Sequence, residues 1–483
     1  VIRARLLAHV LGLFLMILGA TMLAPLAVAL TARDSGVEPL AWSILITAIA
    51  GALLAYYGGR PSGELALREG LLVVFSVWTA VGLFGCLPFY LSPQFPSFTD
   101  AVFESVSGFT TTGATILPKV EVLPDSLQLW RCFSHWLGGM GIVVLGVAIL
   151  PLIGLGGMHL YRAEFSGAKS EKLTPRVAET AAALWKIYFA ITLAEYLALR
   201  LAGMTSFDAI LHAFSTLGTG GFSSRTASIA GFESALVEYI VIVFMLLGGV
   251  SFPAQYRLWV ERRPGRFFSD VEVRAFFAIV AAATLVITAS LVAQSSYPLS
   301  TGFRAALFQV SSIITTTGFM SADFEQWAPV CQLALLALMF IGGCTGSTAG
   351  GLKVTRILML MRIVNREFKR MVHRHGVFAV RLGGQVVPEP AVQAVLNMVY
   401  LAFLFNFVAC LLLASTGIDV LTSITAVASC MFNVGPGLGS VGPAEHYGHL
   451  PALAKWVLSA CMLGGRLEFY TALVIFTPGF WRK

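Results

Sequence analysis

The 483-residue chain is short of charge: Lys, Arg, Asp and Glu together make up 12% of it. A soluble globular protein carries about 25%, so a water-soluble domain is excluded. The seven cysteines (86, 132, 331, 344, 410, 430 and 461) form no C-x-x-C pair, which argues against a metal or disulfide framework. They read as small core residues within apolar runs. No nucleophile–base set and no paired carboxylates stand out, so the chain is not read as an enzyme. The stretch "GCTGSTAGGLK" lacks the G-x-x-x-x-G-K-[ST] spacing of a phosphate loop, and no strand precedes it. His446 and His449 lie three apart without a third ligand, so they read as polar residues of an outer mouth rather than a zinc site. His135 and His212 read as hydrogen-bonded structure. No prosthetic group is expected.

What the sequence does have is apolar length. Hydrophobic residues reach 57%, with 35 Phe and 47 Gly. Runs of about 20 apolar residues suffice to cross a bilayer; they fall near 6–30, 39–58, 70–91, 128–155, 184–203, 236–259, 274–295, 330–361, 391–414 and 451–476. The first follows Arg3 and Arg5 and ends near a small-residue "AVA". It exceeds the 7–15 residues of a signal h-region and reads as a retained span. Ten spans place both termini on one side. Arg60 and Arg68, then Arg162, Lys169, Lys172 and Arg176, lie on the same face as the termini. So do Arg257, Arg262, Arg263, Arg266 and Arg274, and the group Arg362, Arg366, Lys369, Arg370, Arg374 and Arg381. The opposite loops hold little beyond Arg33, Lys119 and Arg225. The positive-inside rule makes the basic face cytoplasmic, and the net charge of +7 needs no nucleic acid to explain it.

A repeat runs through these spans. "SGFTTTGAT", "STLGTGGFSS", "IITTTGFMSA" and "MFNVGPGLGS" place key glycines at Gly113, Gly221, Gly318 and Gly435. A Gly-Gly pair follows each, beginning at Gly138, Gly248, Gly342 and Gly464, at offsets of 25, 27, 24 and 29. A short amphipathic stretch precedes each, with Asp100 and Asp208 placed to cap two of them. The predicted unit is span, half-helix, polar turn, span. It occurs four times (68–160, 182–262, 270–362 and 390–478) after two leading spans (1–60). Irregular backbone at membrane depth is tolerated where it lines a cavity. Four half-helix ends around one axis set carbonyl oxygens in rings that replace a cation's hydration shell, with glycine supplying φ > 0 and close approach. The expected fold is therefore an all-α polytopic membrane protein of ten transmembrane helices around one pseudo-fourfold pore.

These phrases, "NVGPGLG" above all, resemble the filter segments of the TrkH/TrkG/KtrB family of potassium transporters. The resemblance covers essentially the whole chain, including the two leading spans of the TrkH branch. It implies potassium as the permeant ion in a channel-like path, a homodimer in the bacterial inner membrane, and a cytoplasmic ring of TrkA-type nucleotide-binding subunits as the only route by which nucleotide acts. Filter residues carry over as Thr111, Thr112 and Gly113; Thr219, Gly220 and Gly221; Thr316, Thr317 and Gly318; Asn433, Val434 and Gly435. Asn433 and Val434 replace threonines, so strict fourfold symmetry is not expected there. Plant relatives with serine at the first filter glycine favour sodium, and Gly113 thus implies potassium.

A gate is expected below the filter. "IGGCTGSTAGGLKVTR" breaks the eighth span with Gly342, Gly343, Gly346, Gly350 and Gly351, at about 1 kcal/mol each relative to Ala in a helix. The alternative is a tightly packed interface of small residues. Arg466, mid-span, is a functional candidate, and in the family the matching arginine lies just below the filter; pairing with Glu468 or with helix carbonyls is the structural alternative. Lys353 is either a second pore-facing cation or a snorkelling one. The rival reading is a proton- or sodium-coupled symporter on the same scaffold. Such proteins commonly use inverted repeats around one midplane site, whereas these four repeats share one orientation.

Overall fold

The computed structural model describes residues 3–59, 66–148, 173–294 and 297–482. Arg60, Arg162, Lys169, Lys172, Lys483 and the end of the expected fourth span lie outside them. The described chain is helical almost throughout. One short antiparallel hairpin, Arg381–Leu382 with Gln385–Val386, turns through Gly383 and Gly384.

Among the described residues, six helices are long and apolar enough to cross a membrane: Ala4–Ala32, Val37–Gly58, Arg68–Tyr90, Ala181–Leu201, Val271–Ala293 and Glu389–Ala414. Each leaves more than half of its apolar window outside the packed interior, as a helix with lipid for solvent does. The leading pair packs together along most of its length. It is tied to the first repeat by the Arg3–Glu69 ion pair (2.7 Å) and by Asp34, whose Oδ2 accepts from Ser126 N–H (2.9 Å).

Three of the expected spans are broken at or just beyond the Gly-Gly pairs, the eighth as its glycine cluster predicts and the sixth and tenth unexpectedly. The sixth ends at Gly249 and resumes as Phe252–Trp259 after a 105° bend. The eighth stops at Ile341 and restarts at Val354. The tenth stops at Arg466 and restarts at Tyr470. Only the second of these interruptions was signalled by a glycine cluster. In the sixth, Pro253 in the first turn of the new helix prevents continuation of the old one. In the tenth, Glu468 in the left-handed region (φ 54°) ends it.

At the centre of the bundle stand four short helices: Phe98–Phe109, Ser206–Leu217, Leu299–Ile314 and Val420–Met431. Every residue of the first from Asp100 onward is buried, polar ones included. Ser105, Ser107 and Thr110 to Thr112, at the end of this helix, are among the buried hydroxyls.

Candidate functional site

Three of the four short helices are capped at their start by a side chain. Ser97, Thr205 and Asp419 are the N-caps, accepting from the N–H of Asp100, Asp208 and Thr422. Asp100 and Asp208 are thus not the caps but the residues three further on. Each receives a bond from the capping hydroxyl, at 2.6 and 2.9 Å. The third helix begins after Pro298 with no side-chain cap.

The four helix ends share one geometry. The first residue of each triplet is left-handed: Thr111 at φ 53°, Thr219 at 53°, Thr316 at 54° and Asn433 at 55°. For a β-branched threonine this conformation costs roughly 1–2 kcal/mol, and such strain is characteristic of functional sites. The second triplet residue donates its N–H to a carbonyl five residues back: Thr112 to Ser107, Gly220 to Ser215, Thr317 to Ser312 and Val434 to Ser429, all at 2.8–2.9 Å. The first residue donates three back, to Gly108, Thr216, Ile313 and Cys430. Together these are four Schellman caps. Asn433 therefore keeps the shared backbone. Its departure is confined to the side chain, which donates to Thr112 Oγ1 (2.9 Å) and Met462 O (3.0 Å). The serine six residues before every key glycine escaped the sequence reading, although the spacing repeats four times in the sequence.

The triplets close on one another. A β-carbon on Gly113 would lie 1.9 Å from Gly220 O, on Gly221 2.1 Å from Thr317 O, on Gly318 2.1 Å from Val434 O, and on Gly435 2.7 Å from Thr112 O. First touches second, second third, third fourth, and fourth first. No side chain fits at these joints, and all four glycines have positive φ, between 79° and 102°. Among the described residues the triplet carbonyls accept no hydrogen bond, with one exception: Gly435 O takes the hydroxyl of Tyr447 (2.8 Å). Unpaired carbonyls away from bulk water await a partner. All four glycines line one mouth that opens to solvent.

Around this ring, Glu104 and Arg131 form a buried ion pair (2.6 Å). Glu104 also accepts from Thr115 Oγ1 (2.9 Å) and Ile116 N–H (2.9 Å), and Arg131 donates to Ser223 O (3.1 Å). The pair fastens the strands leaving the first and second triplets to the first short helix. Glu104 is acidic inside an otherwise amphipathic half-helix, a signal the sequence offered and the repeat pattern did not use.

Beneath the ring runs the irregular segment 342–353. Gly350 N–H donates to Thr316 Oγ1 (2.7 Å) and Gly351 N–H to Phe432 O (3.2 Å). Thr348 Oγ1 meets Leu217 O (3.0 Å) and Gly248 O (3.1 Å). Arg466, buried, donates to Thr348 O (2.8 Å) and to Gly138 O (3.1 Å). One segment thereby touches the second, third and fourth repeats, and Arg466 extends the contact to the first. Glu468 faces away and pairs instead with Arg356 (2.7 Å). Lys353 folds back so that its ammonium donates to Ala349 O within the segment. At its base Glu272 accepts from the N–H of Thr345 (2.7 Å) and Thr355 (3.1 Å). His446 lines the mouth, and its ring centroid lies 5.7 Å from that of His449. His135 and His212 are hydrogen-bonded to Ser215 (2.7 Å) and Ser223 (2.9 Å).

The comparisons with known proteins fall on the whole of this architecture. The crystal structure of the potassium transporter TrkH from Vibrio parahaemolyticus superposes with a TM-score of 0.92 at 42% identity, covering 99% of each chain. The Trk system potassium uptake protein TrkH of Halomonas elongata is 43% identical over 99% of each chain. That of Escherichia coli K12 is 42% identical over the same share. Residues 39–483 match the TrkH family, described as a cation transport protein. The chain belongs to the TrkH family.

Proposed function

We propose that this chain takes up potassium through a channel-like path whose selective element is the ring of triplets: Thr111, Thr112 and Gly113; Thr219, Gly220 and Gly221; Thr316, Thr317 and Gly318; Asn433, Val434 and Gly435. The observation that carries this reading is the closed ring of left-handed, carbonyl-presenting triplets. Among the described residues its oxygens are left without donors, save one, at the base of an open mouth. Oxygens so placed replace the hydration shell of a dehydrated cation. On this reading the six long helices, the three broken ones and Asp125–Ala148 are the ten spans, in four repeats behind two leading spans, with both termini on the cytoplasmic side of a bacterial inner membrane.

The segment 342–353, with Gly342, Gly343, Gly346, Gly350, Gly351 and Lys353, is the gate, and Arg466 is its latch. Two like charges ~6 Å apart at an effective dielectric of about 20 repel by roughly 3 kcal/mol, so an arginine below the ring opposes a descending cation. Opening moves the segment away from Arg466, Leu217 O and Phe432 O. A homodimer governed by a cytoplasmic nucleotide-binding subunit completes the assembly. Exposed Arg262, Arg263, Arg370 and Arg374 offer that subunit complementary charge. Arg366 does not, being buried in a pair with Glu389 (2.7 Å).

Reconstituted vesicles test the reading. Potassium flux is expected to follow its own gradient, with sodium restricted, and Gly113→Ser is expected to weaken that restriction. Flux that requires a proton or sodium gradient would replace the channel-like step by coupled symport. Unchanged selectivity in Gly113→Ser would remove Gly113 from the filter. Charge reversal at the four arginines is expected to abolish co-purification of the cytoplasmic subunit; retention would move its docking surface elsewhere.

A further inference from the structure

The ring has one unequal member. φ is 81° at Gly113, 80° at Gly221 and 79° at Gly318, but 102° at Gly435. The β-carbon clearance is likewise 1.9–2.1 Å at three joints and 2.7 Å where Gly435 meets the first triplet. That same glycine carries the one triplet carbonyl that accepts a hydrogen bond among the described residues, from Tyr447 Oη at 2.8 Å.

The donor is firmly placed. Tyr447 is 2% exposed. Its N–H donates to Thr115 O (2.8 Å), two residues beyond Gly113, and its ring packs on Phe103 with centroids 5.5 Å apart. The residue is thus fastened by its backbone to the strand leaving the first triplet and by its hydroxyl to the fourth triplet. It sits at the seam where the ring closes, and it lines the outer mouth together with all four glycines.

We propose that Tyr447 is a positioning residue for ion capture, one that makes the outermost carbonyl ring deliberately unequal. Three of its carbonyls, those of Gly113, Gly221 and Gly318, are free for a cation; the fourth shares its lone pairs with a phenol. The number and field strength of coordinating carbonyls set how tightly a dehydrated cation is held, and conduction requires a site weak enough to leave. Withdrawing part of one acceptor at the entrance weakens the first site an incoming ion meets, which speeds its passage inward. The proposal rests on the filter reading above.

The test is Tyr447→Phe, which keeps the ring against Phe103 and removes only the hydroxyl. In vesicles the KM for potassium uptake is expected to fall roughly threefold, within the range one hydrogen bond commands. Maximal flux should fall in similar proportion while sodium stays restricted. A second measurement does not depend on transport: the potassium concentration that half-maximally stabilises the purified protein against heat is expected to shift downward by the same factor. A KM and stabilisation midpoint equal to wild type, or shifted upward, would overturn the proposal. So would free entry of sodium, which would make Tyr447 a brace for the filter's shape rather than a modulator of its outer site. The underlying reading fails separately: if wild type is stabilised equally by potassium and sodium, and Gly113→Ser changes nothing, the ring is not the selective element whatever Tyr447 does.

Discussion

At the outer level of the bundle, the four repeats place a left-handed residue at φ between 53° and 55°, a serine carbonyl beneath it and a positive-φ glycine above. At the inner level no two repeats agree. The first helix runs on unbroken to Ala148, the second bends by 105° after Gly249, the third dissolves into 342–353, and the fourth ends at Arg466 and resumes at Tyr470. On the filter and gate reading proposed above, the two levels answer different physical demands. Coordinating one ion needs matched oxygens on every side, so the outer level has little freedom to diverge. Blocking one path needs a single mobile piece and a partner to hold it, so four identical inner segments would only obstruct one another.

The largest expected effect comes from breaking the outer level. Gly221→Ala and Gly318→Ala each place a methyl 2.1 Å from a backbone carbonyl oxygen, and that oxygen has no flexible side chain to give way. Potassium selectivity measured by ion competition in vesicles should fall by roughly tenfold or more, equivalent to at least about 1.4 kcal/mol. Gly435→Ala, with 2.7 Å of clearance, should cost less. Equal losses at all three positions would remove the distinction drawn at that joint.

Breaking the inner level should leave selectivity alone and change flux. Arg466→Ala removes the bonds to Thr348 O and Gly138 O, and unregulated potassium flux is expected to rise by roughly threefold to tenfold, a loss of about 0.7–1.4 kcal/mol of closure. Glu468→Gln sharpens the assignment. Because Glu468 pairs with Arg356 and not with Arg466, it should not reproduce the increase. A matching increase would show that the latch is the carboxylate.

A smaller step in the same direction is Thr348→Val, which removes one hydroxyl that faces both Leu217 O and Gly248 O. The loss is about 1 kcal/mol of hydrogen bonding; flux in the absence of the cytoplasmic subunit should rise about twofold to fivefold. Smallest is Ser97→Ala. It deletes an N-cap worth about 1 kcal/mol, and should lower the thermal midpoint with no change in ion preference or flux.

Much of the site was legible in the sequence because it depends on glycine. Where a chain must present φ > 0 or meet another backbone, the residue itself announces the need, and Gly113, Gly221, Gly318 and Gly435 did so at repeating distance from their Gly-Gly pairs. What was not legible depends on residues that carry several meanings. Threonine in a left-handed turn violates its own preference, so nothing in "TTTG" declares which threonine bears the strain. Asp100 and Asp208 sit in the first turn, where a carboxylate serves either as cap or as the cap's partner. The hydroxyls of Ser97 and Thr205 decided it. Arg466 and Glu468 are neighbours in sequence and opposite in charge. The helix ends between them, and at that break the guanidinium goes to the centre and the carboxylate to Arg356. The breaks after Gly249 and Arg466 were hidden by runs apolar enough to read as unbroken helix, since hydropathy reports the solvent and not the axis.

The joint between Gly435 and Thr112 is where a single polypeptide meets itself, some three hundred residues on. In a ring assembled from four identical subunits, every substitution arrives in quadruplicate, and no quarter acquires a feature that the others lack. Here each quarter is written once. One helix can be unwound, one can carry a cation, and one carbonyl can be lent to a tyrosine, while the remaining three keep their form. The ring behaves as four instructions under separate edit, and its asymmetries are open to change one at a time.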